Sequence, residues 1–202
     1  MSPRALTDNE KNHQRQKILA KARDLILVHG IRKVSVDDIV KAASIAKGSF
    51  YNHFSGKEDL LMQLVWEIYQ GFVDQAKTVI TSSSPGNIRC NVASFIRSIL
   101  NEPDKVFFFS NHEELSDLIV SLENNELQDF SAMEHNAFAE LITLAGRDTK
   151  KVKPTVVHNY IHTMYFAISD DAIILEFVQE TIDVMLEGLL NYIFGSEKEN
   201  EG

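Results

Sequence analysis

A short segment at residues 47–54, with the sequence KGSFYNHF, carries polar and aromatic side chains suited to contacting a nucleic acid. Phe50 and Phe54 are four residues apart, so both fall on one face of a helix and are predicted to point inward. A helix of about two turns is marginal alone, and its insertion into a DNA major groove would explain the polar character of the opposite face. The side chains left on that outer face are Lys47, Ser49, Tyr51, Asn52 and His53.

The preceding residues, 35–46, supply the elements that would position this segment. Ser35 is a candidate N-cap, and Asp38 lies three residues further on, where the partner of a capping box belongs. Apolar residues then recur at helical spacing, so this first short helix has one buried face. Residues 44–46 follow as a tight turn, and Lys57 would begin the next helix. The stretch therefore predicts a helix, a turn and a second short helix.

In this order and spacing the stretch resembles the helix-turn-helix hallmark of the tetracycline-repressor-like (TetR) transcriptional regulators, and the resemblance covers roughly residues 10–65. Ser44 stands where that family usually has glycine, Ala46 where it usually has serine, and Gly56 where it usually has serine or asparagine. These departures bear on the turn geometry and on a hydroxyl that would contact phosphate. The matching positions are Val36, Asp38, Ile39, Ala43, Lys47, Gly48, Tyr51, His53, Phe54, Lys57, Glu58 and Leu60.

The resemblance implies that residues 35–54 enter a major groove of duplex DNA. Ser49, Tyr51 and Asn52 would lie nearest the bases or the flanking phosphates, and Gly48 would permit a close backbone approach. The predicted DNA-binding residues are Ser35, Lys47, Gly48, Ser49, Tyr51, Asn52, His53 and Lys57, of which the two lysines, Tyr51 and His53 are assigned to phosphates.

The distribution of charge favours a DNA-binding head, although the whole chain has a net charge of −9 and a pI near 5.2. Residues 1–60 carry 11 Lys and Arg against 7 Asp and Glu, a net charge of +4. Residues 61–202 carry 9 against 22, a net charge of −13. A basic segment that coincides with a helix-turn-helix pattern predicts a DNA-facing head on an acidic body that repels phosphate elsewhere.

The rest of the chain is predicted to be helical, because apolar residues recur at intervals of three and four and no segment alternates like a strand. We expect an all-α protein of about nine helices, with a DNA-binding domain at residues 1–56 and a helical ligand-binding and dimerisation domain at residues 57–202. The predicted helices span about 8–29, 36–43, 47–54, 57–81, 85–100 with Ser84 as its N-cap, 111–124, 126–145, 154–169 and 171–194. The spans 111–124 and 126–145 are either two consecutive helices or one interrupted helix.

The last two predicted helices are apolar on more than one side, which is typical of helices that pack against a partner subunit. The family resemblance implies a homodimer with C2 symmetry whose four-helix interface comes from these two helices, so that two heads read half-sites about one turn of DNA apart. A fully intramolecular core is the alternative. The predicted interface residues are Tyr160, Ile161, Met164, Phe177, Val178, Ile182, Met185 and Leu189.

The resemblance also implies that the helical body holds a small effector molecule. An aromatic and apolar cavity would favour a lipophilic ligand, whereas the alternative is that the same side chains form ordinary core. The predicted pocket residues are Trp66, Tyr69, Phe95, Phe107, Phe108, Phe109, His112, Met133, Phe138, His162 and Phe166.

Signals for metal binding and catalysis are weak. His158 and His162 have the i, i+4 spacing of a metal-binding pair, but no glutamate completes an HExxH motif between them. His112 and His135 add only loosely to that possibility. No nucleophile elbow, phosphate-binding glycine loop or paired-carboxylate motif is present. We therefore expect no enzyme activity, no cofactor and no metal, with a helical metalloenzyme as a remote alternative.

Neither a signal-peptide pattern nor a long apolar span is evident, and Cys90 is the single cysteine, so a cytoplasmic location is expected. Together these features predict a ligand-responsive repressor. It would bind a palindromic operator in double-stranded DNA as a homodimer and be released when a small lipophilic effector tilts the long helix that begins at Lys57. The rival prediction is an all-helical ligand-binding or protein-interaction module without sequence-specific DNA binding.

Overall fold

The computed structural model describes residues 7–102, 124–169 and 177–196, and within them the chain is entirely helical, which confirms the all-α prediction. The chain forms two compact units, Met1–Tyr69 and Gln70–Gly202. The domain boundary predicted after residue 56 stays a prediction. The helices of the described residues are α1 (Asp8–His29), α2 (Val36–Ala43), α3 (Lys47–Tyr51), α4 (Lys57–Ser82), α5 (Ile88–Leu100), α6 (Asn124–Leu144), α7 (Pro154–Ser169) and α8 (Val178–Phe194).

Helix α1 begins and ends at local sequence signals. The Thr7 hydroxyl accepts a hydrogen bond from the Glu10 backbone N–H at 3.3 Å, and the Glu10 carboxylate accepts one from the Thr7 N–H at 2.7 Å. This capping box satisfies two of the N–H groups that a helix start leaves unpaired. At the other end, Gly30 has a φ of +83°, which favours glycine, and its N–H bonds the Ile26 carbonyl. The buried side of α1 is formed by Ile18, Leu19, Ala22 and Ile26.

Helix α2 begins at the predicted capping box and ends at a strained residue. The Ser35 hydroxyl accepts from the Asp38 N–H at 3.2 Å, and the Asp38 carboxylate accepts from the Ser35 N–H at 3.0 Å. The Ser35 hydroxyl also donates to the Asp38 carboxylate at 2.6 Å, and this bond, together with the one from the Ser35 N–H, lowers the pKa of Asp38. Ser44 then takes the left-handed conformation, with φ 53° and ψ 50°, and is the one non-glycine residue with positive φ in the described parts of the chain. The family's usual glycine has a physical reason at this position.

Helix α3 is shorter than the predicted span of 47–54 and ends at Tyr51. It closes early because the N–H groups of His53 and Phe54 both bond the Phe50 carbonyl, at 2.9 and 3.0 Å. Its N-cap is Ala46, whose side chain makes no capping hydrogen bond. Alanine leaves the first N–H groups of the helix without the oxygen that serine would provide.

Helix α5 begins three residues later than predicted, at Ile88, and Asn87 rather than Ser84 occupies its N-cap position. Pro85 lies instead in a turn closed by a hydrogen bond from the Asn87 N–H to the Ser84 carbonyl at 2.9 Å. Proline is well suited to the second position of such a turn because its φ is already near −65°. The serine-proline signal therefore marked a β-turn, not a helix start.

The later helices agree with prediction where they are described. Helices α6 and α7 occupy 124–144 and 154–169, close to the predicted spans. Helix α8 begins at Val178, whereas the prediction started at residue 171; residues 170–176 lie outside the described residues. The predicted helix at 111–124 also lies outside them, except for its last residue. No helix in the described parts of the chain is long and apolar enough to cross a membrane.

In the second unit, Arg89 on α5 holds the end of α8. Its guanidinium donates to the Gly195 carbonyl at 3.2 Å, to the Asn191 side-chain oxygen at 3.0 Å and to the Glu187 carboxylate. A cation at a helix C-terminus is favourable because the last carbonyls lack intrahelical partners. Since the last turn of α8 contains no basic residue of its own, α5 supplies the charge.

A buried hydrogen bond joins α7 to the last turn of α5. The Tyr165 hydroxyl donates to the Ile99 carbonyl at 3.2 Å, and both residues are fully buried. Burial and the nearby Glu102 carboxylate raise the pKa of Tyr165, so the phenol stays protonated and remains a donor. Tertiary packing therefore satisfies a carbonyl at a helix end.

Replacing Ser44 by glycine is expected to stabilise the protein. A left-handed conformation costs an L-residue roughly 1–2 kcal/mol, and the greater freedom of glycine in the unfolded chain offsets roughly 0.5–1 kcal/mol of the relief. We expect Ser44→Gly to raise the free energy of unfolding by about 0.5–1 kcal/mol in urea titrations. The matched control is Ser94→Gly on α5, where ordinary helical geometry makes the same exchange destabilising. A destabilised Ser44→Gly variant would contradict the strain argument.

Candidate nucleic-acid interface

Two phenylalanines anchor α3, and its other side is open to solvent. Phe50 and Phe54 are 0% and 1% exposed, and their ring centroids are 5.5 Å apart. The inward orientation predicted for both is thus confirmed. Tyr51, between them, is 52% exposed and packs edge-on against Phe50 with a centroid distance of 5.3 Å. The aromatic pair buries one side of a five-residue helix and leaves Tyr51 available to an external partner.

Around Tyr51 the surface of α3 is accessible. Asn52 and Gly48 are exposed, and Ser49 is half-buried. A Cβ atom built on Gly48 would meet nothing within 4 Å, and its φ is not positive. The fold itself therefore does not require glycine at this position. A bare backbone here permits the close approach of another molecule, as the sequence predicted for DNA.

Lys47 is exposed at the start of α3 and forms an ion pair with Asp37 on α2, with an Nζ–Oδ1 distance of 2.8 Å. The hydrogen bond and attraction to Asp37 raise the pKa of Lys47, so its side chain is a permanent cation. An exposed pair of this kind contributes little to stability. A phosphate approaching Lys47 would have to compete with the Asp37 carboxylate for the ammonium group.

Lys57 has a structural contact that the sequence did not indicate. Its ammonium group donates to the Ile31 backbone carbonyl at 2.6 Å, and the side chain is half-buried. Ile31 lies in the loop after α1, so Lys57 ties that loop to the start of α4. An ammonium group has three donors, and one bond to a carbonyl leaves donors for a phosphate. Its predicted phosphate role stays a prediction.

Helix α1 orients His53, another of the predicted phosphate ligands. The His53 Nε2–H donates to the Gln14 side-chain oxygen at 2.8 Å. Partial burial, followed by the positive charges of Arg15 and Lys11, lowers the pKa of His53, so the ring is neutral at pH 7. Binding a phosphate would favour the charged ring instead, because an anion stabilises the imidazolium.

Arg15 belongs to this region although it is not in the predicted DNA-binding set. Its guanidinium lies 5.3 Å from the centroid of the Phe54 ring and donates to the Gln63 side-chain oxygen at 2.7 Å. Arg15 therefore connects α1, the aromatic anchor of α3 and α4 within the first unit. Arg15 follows Lys11 by four residues, so the two positive charges lie on one face of α1. That spacing was the signal in the sequence that could have placed Arg15 in this region.

Ser35, the remaining member of the predicted set, is exposed, and its hydroxyl is occupied by the α2 capping box. Its Oγ donates to the Asp38 carboxylate at 2.6 Å and accepts from the Asp38 N–H. The structure thus gives Ser35 a helix-capping role, and contact with DNA remains a prediction for it. None of the eight predicted DNA-binding residues lies in the hydrophobic core of the described chain.

The second unit contains a cavity of about 60 Å³ between α4, α5, α6, α7 and α8. Two of the predicted pocket residues, Phe95 and Phe138, line it, and each ring packs against Phe72, with centroid distances of 5.7 and 6.0 Å. The described lining is wholly apolar: Phe72, Ala76, Val79, Ile80, Val92, Phe95, Ile96, Phe138, Leu141, Ile142, Ala145, Val157, Ile161, Ile193 and Phe194.

The other predicted pocket residues that the structure describes do not line this cavity. Trp66 and Tyr69 belong to the first unit. Phe166 is 49% exposed, and Met133 lines a separate surface groove on α4 and α6. His162 instead belongs to a polar cluster described below. The remaining members, Phe107, Phe108, Phe109 and His112, lie outside the described residues.

The predicted dimer interface divides by burial. Phe177 is 49% exposed, and Val178 and Met185 are half-buried. The Tyr160 hydroxyl covers Gly188 of the same chain so closely that a Cβ there would lie 2.7 Å from it. The residues buried in the chain's own core, which offer no surface to a partner, are Ile161, Met164, Ile182 and Leu189. An exposed apolar residue absent from the prediction, Val184, is 75% exposed on α8.

Three ligating side chains of the second unit lie together, although sequence reasoning found only two of them. His158 and His162 on α7 have ring centroids 4.3 Å apart, and Glu134 on α6 lies 3.3 Å from His158 Nε2. Burial opposes protonation of His158, but the Glu134 carboxylate outweighs it and raises the pKa of His158. His135, the neighbour of Glu134, is exposed, with Nδ1 3.5 Å from the Thr155 hydroxyl, and takes no part.

Comparison with known proteins follows the same division of the chain. The family model described as bacterial regulatory proteins, tetR family, matches residues 18–64. The HTH-type transcriptional repressor NemR of Escherichia coli (strain K12) is 25% identical over 126 residues, which are 62% of this chain and 60% of NemR. The sequence match therefore spans less than two thirds of that relative's length.

Solved structures with the same fold extend over the rest of the chain. A TetR-family transcriptional regulator from Streptomyces coelicolor aligns with a TM-score of 0.66 and 20% identity, covering 92% of this chain and 97% of that one. The regulator FadR from Bacillus subtilis, solved in complex with stearoyl-CoA, aligns with a TM-score of 0.58 and 15% identity, covering 90% and 99%.

The matched residues 18–64 contain the second half of α1, the capped helix α2, the left-handed turn after it and the short helix α3 with its aromatic anchor. The helical body also has the fold of solved regulators of this type. Residues 18–64 thus match the tetR family of bacterial regulatory proteins, and the chain is similar in fold to solved regulators of that family.

Proposed function

We propose that the protein is a ligand-responsive regulator of transcription that represses by binding an operator in double-stranded DNA as a homodimer. The observation that carries the proposal is the exposed side of α3, where Tyr51, Asn52 and the bare backbone of Gly48 project from a helix held by buried phenylalanines. This arrangement suits a recognition helix, whose early residues contact base edges in the major groove. NemR, a relative by sequence, is named as a transcriptional repressor.

Charge supports the same assignment. Lys47 flanks the N-terminal end of α3, and the segment 1–60 has a net charge of +4 in an otherwise acidic chain. Contacts from lysine to phosphate supply affinity that is independent of base sequence and falls with added salt. Asn52 and Tyr51 would supply the contacts that discriminate among bases. A regulator of this kind acts on chromosomal DNA, so we expect it in the cytoplasm.

Opposite effects are expected from the two members of the Lys47–Asp37 pair. Lys47→Ala should weaken binding to every duplex and reduce the slope of log affinity against log salt by about 1, because one phosphate contact is lost. Asp37→Asn should strengthen binding, because the competing carboxylate charge is removed. The measurement is fluorescence anisotropy with duplexes from the DNA flanking the protein's own gene, over a salt series with competitor DNA.

The control is Lys150→Ala, which removes the same charge from an exposed loop of the second unit. It should leave both affinity and salt slope unchanged. Equal effects of Lys47→Ala and Lys150→Ala would contradict the interface. Failure of the unaltered protein to bind any duplex at low salt would favour the rival function, a helical ligand-binding or protein-interaction module.

A homodimer is proposed from the exposed apolar residues of the last two described helices. Val184 is 75% exposed, and Phe177 lies seven residues before it, close to the same face of α8. On α7, Phe166 is 49% exposed and Val156 43%. Large apolar side chains in this number favour contact with a second copy, and a symmetric dimer would present two recognition helices to successive turns of DNA.

A charge at the centre of that surface should separate the subunits. Val184→Glu is expected to convert the dimer to a monomer, because a buried unpaired carboxylate is strongly unfavourable, and to weaken operator binding as the second recognition helix is lost. Sedimentation velocity measures the first effect and anisotropy the second. Val28→Glu is the matched control, since Val28 is 74% exposed on α1 in the first unit. A dimer that survives Val184→Glu would place the interface elsewhere.

The cavity of the second unit is the proposed effector site. Its wholly apolar described lining suits a lipophilic molecule, in keeping with the predicted class of ligand. At about 60 Å³ it is far smaller than the roughly 300–1,000 Å³ of typical small-molecule sites. Ligand binding would therefore require side chains or helices of this unit to move apart. Such a movement would couple ligand binding to a change of conformation, which a ligand-responsive regulator requires. FadR from Bacillus subtilis, which shares the fold, was solved with an acyl-CoA bound.

Filling the cavity should prevent ligand binding. Ala76 lines it and is 5% exposed. Ala76→Leu is expected to weaken binding of the uncharged fluorescent probe N-phenyl-1-naphthylamine by at least about tenfold, equivalent to about 1.4 kcal/mol, while operator affinity is kept. Probe fluorescence and DNA anisotropy measure the two effects. Ala20→Leu, at an exposed position of α1, is the control. Unchanged probe affinity in Ala76→Leu would show that the probe binds outside the cavity.

A further inference from the structure

The cluster of Glu134, His158 and His162 has a donor set that the proposed function does not use. Each side chain offers one ligand atom, these atoms all lie within 4.8 Å of one another, and all three residues are half-buried. The two imidazoles come from successive turns of α7 and the carboxylate from α6, so the cluster joins two neighbouring helices. It lies within the second unit, where the Phe138 ring packs edge-on against His158 at 5.3 Å.

The hydrogen bonding of His158 leaves its Nε2 atom facing the Glu134 carboxylate. Nδ1 lies 3.3 Å from the Asn159 side-chain oxygen, which only accepts, so Nδ1 carries the proton. Nε2 of the neutral ring then presents a lone pair. That atom is buried, forms no hydrogen bond of standard geometry, and lies 3.3 Å from a carboxylate oxygen of Glu134. Two acceptors this close repel each other unless a positive charge lies between them.

A divalent cation satisfies that requirement better than a proton alone. Two imidazoles and one carboxylate form the His₂Glu set that binds Zn²⁺ with a fourth position open. Bond lengths of about 2.0–2.2 Å require ligand atoms about 3.4 Å apart at a tetrahedral angle. The Glu134–His158 pair already has this separation, and the widest pair in the cluster would close by little more than 1 Å. The Asn159 contact to Nδ1 is the outer hydrogen bond that typically orients a metal-binding histidine.

We infer that Glu134, His158 and His162 form a Zn²⁺-binding site with water or a ligand donor atom in the fourth position. The site is independent of DNA binding. Its open position lies at a cluster joined through Phe138 to the wall of the apolar cavity. The described lining of the cavity has no polar group that could bind a ligand. A metal ion in the neighbouring cluster would bind a polar group of a ligand there. Co²⁺, a metal of similar size, is expected to occupy the same donors and can replace Zn²⁺ as a spectroscopic probe.

The test is a titration of the full chain, freed of metal by a chelator, with ZnCl₂ in a calorimeter and with CoCl₂ in a spectrophotometer. One Zn²⁺ per chain is expected, and Co²⁺ should give the intense visible bands of a site with few ligands. His162→Ala and Glu134→Gln should each weaken Zn²⁺ binding at least about 100-fold, because loss of a direct ligand exceeds the 10–100-fold loss seen for outer partners.

His135→Ala is the matched control, because His135 is exposed on α6 beside Glu134 and is not part of the cluster. It should leave stoichiometry and affinity unchanged. Absence of saturable binding near one Zn²⁺ per chain in the unaltered protein would overturn the inference and leave a protonated His158 paired with Glu134. Equal loss in His135→Ala and His162→Ala would overturn it as well. The unaltered protein decides the first outcome even if a cluster variant fails to fold, and no outcome depends on DNA.

Discussion

A helix of five residues has too few internal hydrogen bonds to persist in water, and α3 exists because Phe50 and Phe54 are buried beneath it. Every property of the proposed interface depends on that burial. It holds the backbone in place while Tyr51 and Asn52 stay outside, and it brings Arg15 over the Phe54 ring. Helix α3 is therefore stabilised by the core of the first unit. Its exposed residues do not contribute to that core and can serve binding alone.

The same principle applies to the charges around α3. Lys47 is paired with Asp37, Lys57 with the Ile31 carbonyl, and His53 with Gln14, so three of the predicted phosphate ligands already have partners in the free protein. Such contacts restrict the side chains before DNA arrives and reduce the entropy lost on binding. In the proposed complex they would also oppose binding, since DNA would have to displace the carboxylate beside Lys47.

Local signals in the sequence were sufficient for much of the fold. The α2 capping box, the inward phenylalanines and the limits of α4 and α7 follow from neighbouring residues, and each was predicted. One error arose because a signal is shared between structures: Ser84 and Pro85 suit a turn as well as a helix start. The other concerns the end of α3, where the Phe50 carbonyl accepts hydrogen bonds from the N–H groups of both His53 and Phe54.

Contacts between distant segments could not be predicted. Nothing near Lys57 in the chain indicates a carbonyl 26 residues earlier, and nothing near the α7 histidines indicates Glu134. The i, i+4 spacing identified two members of that cluster, and only the packing of α6 on α7 supplies the third. Within the helices that the family resemblance implied, the pocket and dimer residues were chosen mainly by apolar or aromatic character. That criterion does not separate a cavity wall or a subunit surface from ordinary core, which is where Met164 and Leu189 lie.

For the cavity as the proposed effector site, the small volume implies a lower size limit for signalling molecules. A compound that fits the existing space would leave the surrounding helices where they are and occupy the site silently. Because a ligand shifts a conformational equilibrium only through a difference in affinity between its states, a compound acts only if the expanded state binds it better. The volume of a ligand would then matter as much as its chemical type. Two close analogues, one below and one above the size limit, would differ in their effect on the conformational equilibrium although they make the same contacts.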